Sequence, residues 1–299
     1  MKKTLYPARK LLLAGGLLFL SVHASAAPTS TAAPCGTTDV EITKVSQYSG
    51  TTSDATLNTI YNGNMAAAAC AGAFSGNDGF YPSTNLGYAG DGLLNGGIQN
   101  QSGATLFPGG AFITPQSPLQ DLDKNGQVND PGWIMLGKFE QGNNGSWGFT
   151  PSTVGGSSAI VLSSFFTATI TGQGTGTWSF TPDATVAQRT SSLLGRNYFD
   201  QFALVFKAGN AFSVYDFTPA EFGMTAPKVT DPVMNWSGTY DVSDTLKNGG
   251  GGGAGLSHIS LWVRDPAPTG QPSQVPEPST LALVGLSAVA LIRSRRKAA

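Results

Sequence analysis

The chain of 299 residues carries 17 basic and 18 acidic side chains, 39 glycines and only 12% charged residues, against about 25% in an average soluble domain. Eight of the basic residues but a single acidic one fall within 1–26 and 276–299, so the stretch between them holds nine basic against seventeen acidic side chains. Its net charge of about −8 argues against nucleic acid as a partner, and the Gly, Ser, Thr and Asn that replace the missing charges describe a turn-rich β-protein rather than a helical enzyme.

The chain opens with Lys2, Lys3, Arg9 and Lys10, an apolar run at 11–20 and the small residues Ala24-Ser25-Ala26. That order of charge, grease and A-x-A reads as a secretory signal peptide over 1–26, cleaved after Ala26 by signal peptidase. Its apolar core is shorter than the roughly 20 residues a membrane span needs. Export places Cys35 and Cys70, the two cysteines, in an oxidising compartment, where an even count reads as one disulfide. Two free buried thiols are the alternative. In the chain-entropy model a bridge closing this loop contributes about 4 kcal/mol.

Further along, period two dominates. "DVEITKV" (39–45), "WIMLGKF" (133–139) and "AIVLSSFFTATITG" (159–172) read as strands rich in β-branched and aromatic residues. "QFALVFKAGNAFSVYDF" (201–217) reads as two strands about Gly209-Asn210, a hairpin signal. "LSHISLWV" (256–263) reads as a sandwich strand with Ile259, Leu261 and Val263 inward. Short helices are expected at 64–74, "NMAAAACAGAF", and at 185–194. The glycine run at 248–253 reads as a mobile loop, and the prolines at 266, 268 and 272 as a stiff stalk over 266–275.

One motif suggests chemistry. "DLDKNGQVNDPG" (121–132) begins with calcium-loop spacing: side-chain oxygens at Asp121, Asp123 and Asn125, Gly126 at the sharp turn, and the Gln127 carbonyl. Such loops close with a bidentate Glu at position twelve, which here is Gly132, so the closing ligand is left to Asn129, Asp130 or a carboxylate from elsewhere. The competing reading is a set of Asx turns in a surface loop. Calcium is therefore the one cofactor the sequence raises.

Catalysis has little to stand on, and no catalytic residue is assigned. His258 is the single histidine after the signal peptide, and alternation turns Ser257 away from it, so the two are no nucleophile and base. Zinc lacks His and Cys ligands, and neither G-x-S-x-G nor a P-loop is present. Paired carboxylates of a glycosidase stay possible, with Glu41, Glu140 and Glu221 the scarce glutamates to examine. Of Trp133, Trp147, Trp178, Trp236 and Trp262, at least three are expected in the core; any exposed one would offer a face for stacking on sugar rings.

The end of the chain carries a resemblance. Pro276-Glu277-Pro278, Ser279-Thr280, an apolar run over 281–292 and the basic residues Arg293, Arg295, Arg296 and Lys297 resemble the PEP-CTERM sorting signal. As a helix the twelve-residue run reaches about 18 Å, short of a hydrocarbon core of about 30 Å, so a segment over 279–293 engages a bilayer only marginally, with the basic cluster on the cytoplasmic side. The resemblance implies a Gram-negative, polysaccharide-producing host, with exosortase processing the protein during a transient stay in the inner membrane before release to the cell surface or extracellular matrix. A plain retained anchor is the alternative. "NDPGWIMLGK", "FALVFKAGNAFSVY" and "LSHISLW" also resemble a poorly characterised ectodomain that precedes such tails, a likeness that brings no activity with it.

Together these readings predict an all-β protein: a single β-sandwich, jelly-roll-like or immunoglobulin-like, over 27–265, then the stalk and the sorting signal of 276–299 with its short hydrophobic helix. The expected role is non-catalytic binding of exopolysaccharide or matrix. A glycan-active hydrolase with paired carboxylates and a purely structural surface protein are the alternatives.

Overall fold

The computed structural model describes residues 35–79, 84–98, 105–114, 117–158, 160–196, 198–222 and 231–267. The expected signal peptide with Ala24 and Ala26, nearly all of the stalk, and the sorting signal with its basic cluster lie outside the described residues.

Eleven strands form two antiparallel sheets packed as a sandwich: β1 (Val40–Tyr48), β2 (Leu57–Ala66), β3 (Ala69–Ser75), β4 (Trp133–Gln141), β5 (Trp147–Pro151), β6 (Phe166–Gly172), β7 (Thr175–Phe180), β8 (Gln201–Ala208), β9 (Ala211–Phe217), β10 (Met234–Asp241) and β11 (Leu256–Arg264). The first sheet runs β2-β1-β10-β7-β6 and the second β3-β9-β8-β11-β4-β5. One α-helix, α1 (Val186–Leu194), closes one end of the sandwich. Among the described residues no helix is long and apolar enough to cross a membrane.

The two sheets bury their strands differently. In the first sheet, inward Ile42, Trp178, Phe180 and Tyr240 alternate with outward Thr167, Thr169, Thr177 and Thr239. That is the pattern of a sheet wetted on one face. The second sheet is covered on both faces except along β5 and the adjoining end of β4: β8 contributes Phe202, Leu204 and Phe206 to the core between the sheets and Ala203 and Val205 to a second core outside it. Leu93, Leu94, Phe107 and Ala111, from the long connection between β3 and β4, complete that second core. A strand apolar on both faces reads as a continuous run, which is why "QFALVF" shows no alternation.

Buried polar side chains anchor the connection. The Asn95 amide accepts from the Trp133 N–H at 2.9 Å and donates to its carbonyl, while Asn85 makes the same pair of bonds to Met135 at 2.8 Å each. Each amide thus replaces a strand neighbour at the start of β4. The Asp91 carboxylate accepts from the backbone N–H groups of Asn85 and Leu86 and from the Thr84 hydroxyl, and the Trp133 indole donates to the Ala111 carbonyl at 2.8 Å.

Several expectations hold: the hairpin turns at Gly209-Asn210, α1 occupies the second expected helix, Ile259, Leu261 and Val263 face the inter-sheet core, and Cys35 is bridged to Cys70. Trp133, Trp178 and Trp262 are fully buried, and Trp147 and Trp236 pack half-buried against the core. Two readings are corrected. Residues 64–74 form the end of β2 and β3 rather than a helix: the disulfide and the pairing of β3 with β9 outweigh the intrinsic preference of alanine. Among the described residues of 159–172 only β6 is strand; Phe165 instead turns inward and accepts the Thr181 N–H at its carbonyl. The glycine-rich loop is closed by an isolated bridge between Lys247 and Gly253 and by Asn248, whose side chain bonds the Gly250 N–H and Gly253 carbonyl.

Candidate functional site

The Asp121 loop folds as its spacing demands. Gly126 takes a positive φ of 86° and donates its N–H to Asp121 Oδ2, the Asn125 N–H reaches Asp123 Oδ1 at 3.1 Å, and Asn125 Oδ1 accepts the Gln127 N–H at 2.8 Å. One oxygen from each of Asp121, Asp123 and Asp130 lies within 4.8 Å of the others, so the carboxylate nearest to a closing ligand is Asp130 at position ten. Asp130 is wholly buried and already engaged: Oδ1 accepts from Ala89 N–H, and Oδ2 from the N–H groups of Leu122 and Asp123. It therefore organises the loop, while Asp121 and Asp123 remain at the surface. The donor set is the hard-oxygen type that suits calcium, but the hydrogen bonds alone account for the geometry.

A second constellation lies on the outer face of the second sheet. A bulge places Leu136 opposite the Leu261/Trp262 step, so Trp133 and Met135 face the covering connection while Lys138 and Glu140, beyond the bulge, share that same outer face. Cross-strand register then aligns Lys207, His258, Glu140 and Gly148 in one row and Val205, Ser260, Lys138 and Thr150 in the next. Asp78, just after β3, reaches two rows of β11: its Oδ2 lies 2.8 Å from His258 Nε2 and 3.5 Å from Ser260 Oγ. Burial pushes the Asp78 carboxyl up, but the hydrogen bond from His258 and the charges of His258, Lys138 and Lys207 outweigh it and hold the group below the usual carboxylate range. Lys207, nearly buried, has its ammonium pushed down by burial against the opposing pull of Asp78. Beside this stripe, Lys138, Glu140, Thr150, Ser152 and Thr153 line a recess of about 340 Å³ over β4 and β5.

The third constellation sits at the end of the sandwich near α1. Arg264 is fully buried, donating to the carbonyls of Pro131 and Pro118 at 2.9 Å each and to Asp200 Oδ2 at 3.1 Å. Arg196 pairs with Asp265 at 3.2 Å. Burial raises Asp200 to about 6 and Asp265 to about 7 despite these cations, and it raises Asp216, which accepts from the Gln201 amide, well above its ordinary value. Acids outnumber bases here, and burial is the dominant cause of each shift.

Of the residues singled out from the sequence, Asp121, Asp123, Asn125, Gln127 and Asp130 come together in one loop. His258 and Ser257 do not: Ser257 is exposed at a bulge of β11. The glutamates are scattered. Glu41 accepts from the Asn64 amide on the first sheet, Glu221 from the N–H and hydroxyl of Thr218, and Glu140 lines the recess. Sequence reasoning missed Asp78, Lys207, Asp200, Asp265 and Arg264. The available signal was charge inside apolar runs, as in "LVFKAG" and "LWVRDP", since a buried charge must be paired.

Residues 274–297 match the family described as the PEP-CTERM protein-sorting motif. The motif is thus present at the end of the chain, and it implies export, surface or extracellular placement and exosortase as processing partner. Comparison of the chain with curated proteins and with solved structures returned no match.

Proposed function

We propose that this exported domain is a non-catalytic binding module of the cell envelope or extracellular matrix, and that its recess over β4 and β5 takes sugar units of an exopolysaccharide. The supporting observation is the lining of that recess: an ammonium (Lys138), a carboxylate (Glu140) and the hydroxyls of Thr150, Ser152 and Thr153 converge on one concavity. Neighbouring sugar hydroxyls each donate and accept, so a carboxylate and an ammonium side by side satisfy both roles with charge-assisted bonds. Stacking is a lesser contribution, because among the described residues no tryptophan or tyrosine is exposed.

Nothing in this reading requires a nucleophile. His258 is occupied by Asp78, and the acids with raised values cluster around buried arginines rather than facing each other across a polar cleft. The test is retention of the purified protein on exopolysaccharide from its host, with millimolar calcium and then with chelator, while released reducing sugar is assayed. Retention without release supports the module; release of sugar supports the hydrolase alternative; neither supports a purely structural surface protein. Loss of retention with chelator would bring the Asp121 loop into the binding account. Intact mass of the released protein tests the sorting half of the reading: a mature species still carrying residues 281–299 contradicts processing.

A further inference from the structure

One carboxylate in the recess over β4 and β5 stands alone. Among the described residues no hydrogen bond or ion pair engages the side chain of Glu140, which is half-buried and opens on the recess. The other acid on this face is already matched: Asp78 is bonded to His258 and Ser260 and lies in the field of Lys138 and Lys207. A charge withdrawn from water is costly unless it is paired, so a carboxylate held in a concavity without a partner favours a cation from outside. The register leaves room for one. Gly148 stands opposite Glu140 on β5, and a side chain there would meet nothing within 4 Å.

The charge of the whole domain points the same way. With nine basic against seventeen acidic side chains over 27–275, its field attracts polycations and repels polyuronates. Lys138, two residues before Glu140 on the same face, is about 7 Å away along the strand, far enough to leave the place beside the carboxylate open. We infer, on the reading of this recess as a sugar site, that it selects amino sugars with a free amine. The ammonium of a de-N-acetylated hexosamine pairs with Glu140, while the hydroxyls of the chain bond Lys138, Thr150 and Ser152. A neutral acetamido group and an anionic uronate cannot make that pair, and a charge-assisted bond is about twice as strong as a neutral one.

Three oligosaccharides of equal length separate these classes: glucosamine, N-acetylglucosamine and galacturonate oligomers, titrated by calorimetry into the purified protein at about pH 6, where carboxylates are ionised. The glucosamine oligomer should bind about tenfold or more tightly than either of the others. Glu140→Gln should erase that preference. Asp244→Asn, which removes a charge from a fully exposed side chain elsewhere on the surface, should keep it. Equal binding of the two hexosamine oligomers by the parent, or tighter binding of the galacturonate, overturns the inference and leaves the sugar site standing. A preference that survives Glu140→Gln, or is lost equally in Asp244→Asn, has its cause elsewhere and overturns the inference too. Binding of none of the three while the host's exopolysaccharide is still retained overturns the inference alone; with that retention also absent, the sugar site falls with it.

Discussion

The first sheet gives its whole outer face to water, whereas the second is wetted on that face only at the β4–β5 end that lines the recess. Thr167, Thr169, Thr177 and Thr239 stand on the wet side of the first sheet, whereas β8 of the second is buried along its whole length. Charged groups beneath the connection therefore cannot be solvated and must be matched. Lys207, Asp78 and His258 meet at one place, Arg264, Asp200 and Asp265 at another. The lesson is that the same β pattern tolerates substitution on one sheet and is exacting on the other, and the difference comes from the connection folded over the second.

The largest expected effect follows from Arg264. Arg264→Met leaves Asp200, Asp216 and Asp265 buried without their central cation, and removal of one partner from such a set costs about 3–5 kcal/mol. Urea unfolding at neutral pH reads the loss, which should shrink at acid pH as the carboxyls take up protons. An effect below 1 kcal/mol would mean that the cluster is wetter than its burial indicates. Leu93→Ala, in the covering connection, should cost about 2–5 kcal/mol, because Leu93 is fully buried. If it costs little, the second core is an ornament and the comparison of the sheets fails.

The acid cluster also sets a pH dependence. Asp200 and Asp265 have folded values of about 6 and about 7, above the roughly 3.9 of an unfolded aspartate. Between those values the folded state holds more protons, so stability is greatest below about pH 4 as far as these groups are concerned and falls as pH rises through 6 and 7. Asp78 acts oppositely: its value is held down, so its contribution is lost only as pH falls below the ordinary aspartate range. Melting temperature should thus peak in mild acid and decline by several degrees toward pH 8, and Asp265→Asn should flatten the decline. Calcium binding at the Asp121 loop would be the next smaller effect: for an affinity near 10⁻³ M, 10 mM stabilises the parent by about 1.4 kcal/mol and leaves Asp121→Asn unchanged. On the first sheet Thr177→Ala should change stability by less than about 0.5 kcal/mol, the smallest effect of the series.

How far the sequence spoke is clearest in particular segments. The hairpin of β8 and β9 was legible because a Gly-Asn turn and two apolar runs are local signals. The alanine-rich stretch at 64–74 was not, since its strand state depends on β9 and on the bond from Cys35 to Cys70, contacts distant in sequence. The Asp121 loop could be read from spacing alone, yet the role of Asp130 could not: its partners Ala89, Leu122 and Asp123 are supplied partly by the connection's return path. The recess was invisible for a related reason. The bulge at Leu136 turns Lys138 and Glu140 to the face opposite that implied by simple alternation from Trp133.

Binding at that recess has one direct test. Parent protein and a Lys138→Ala, Glu140→Ala double variant of matched circular dichroism should be compared for retention on the host's exopolysaccharide. The parent should be retained and the variant should elute with the void. Equal retention of the two would contradict binding at the recess and move the binding surface elsewhere on the sandwich.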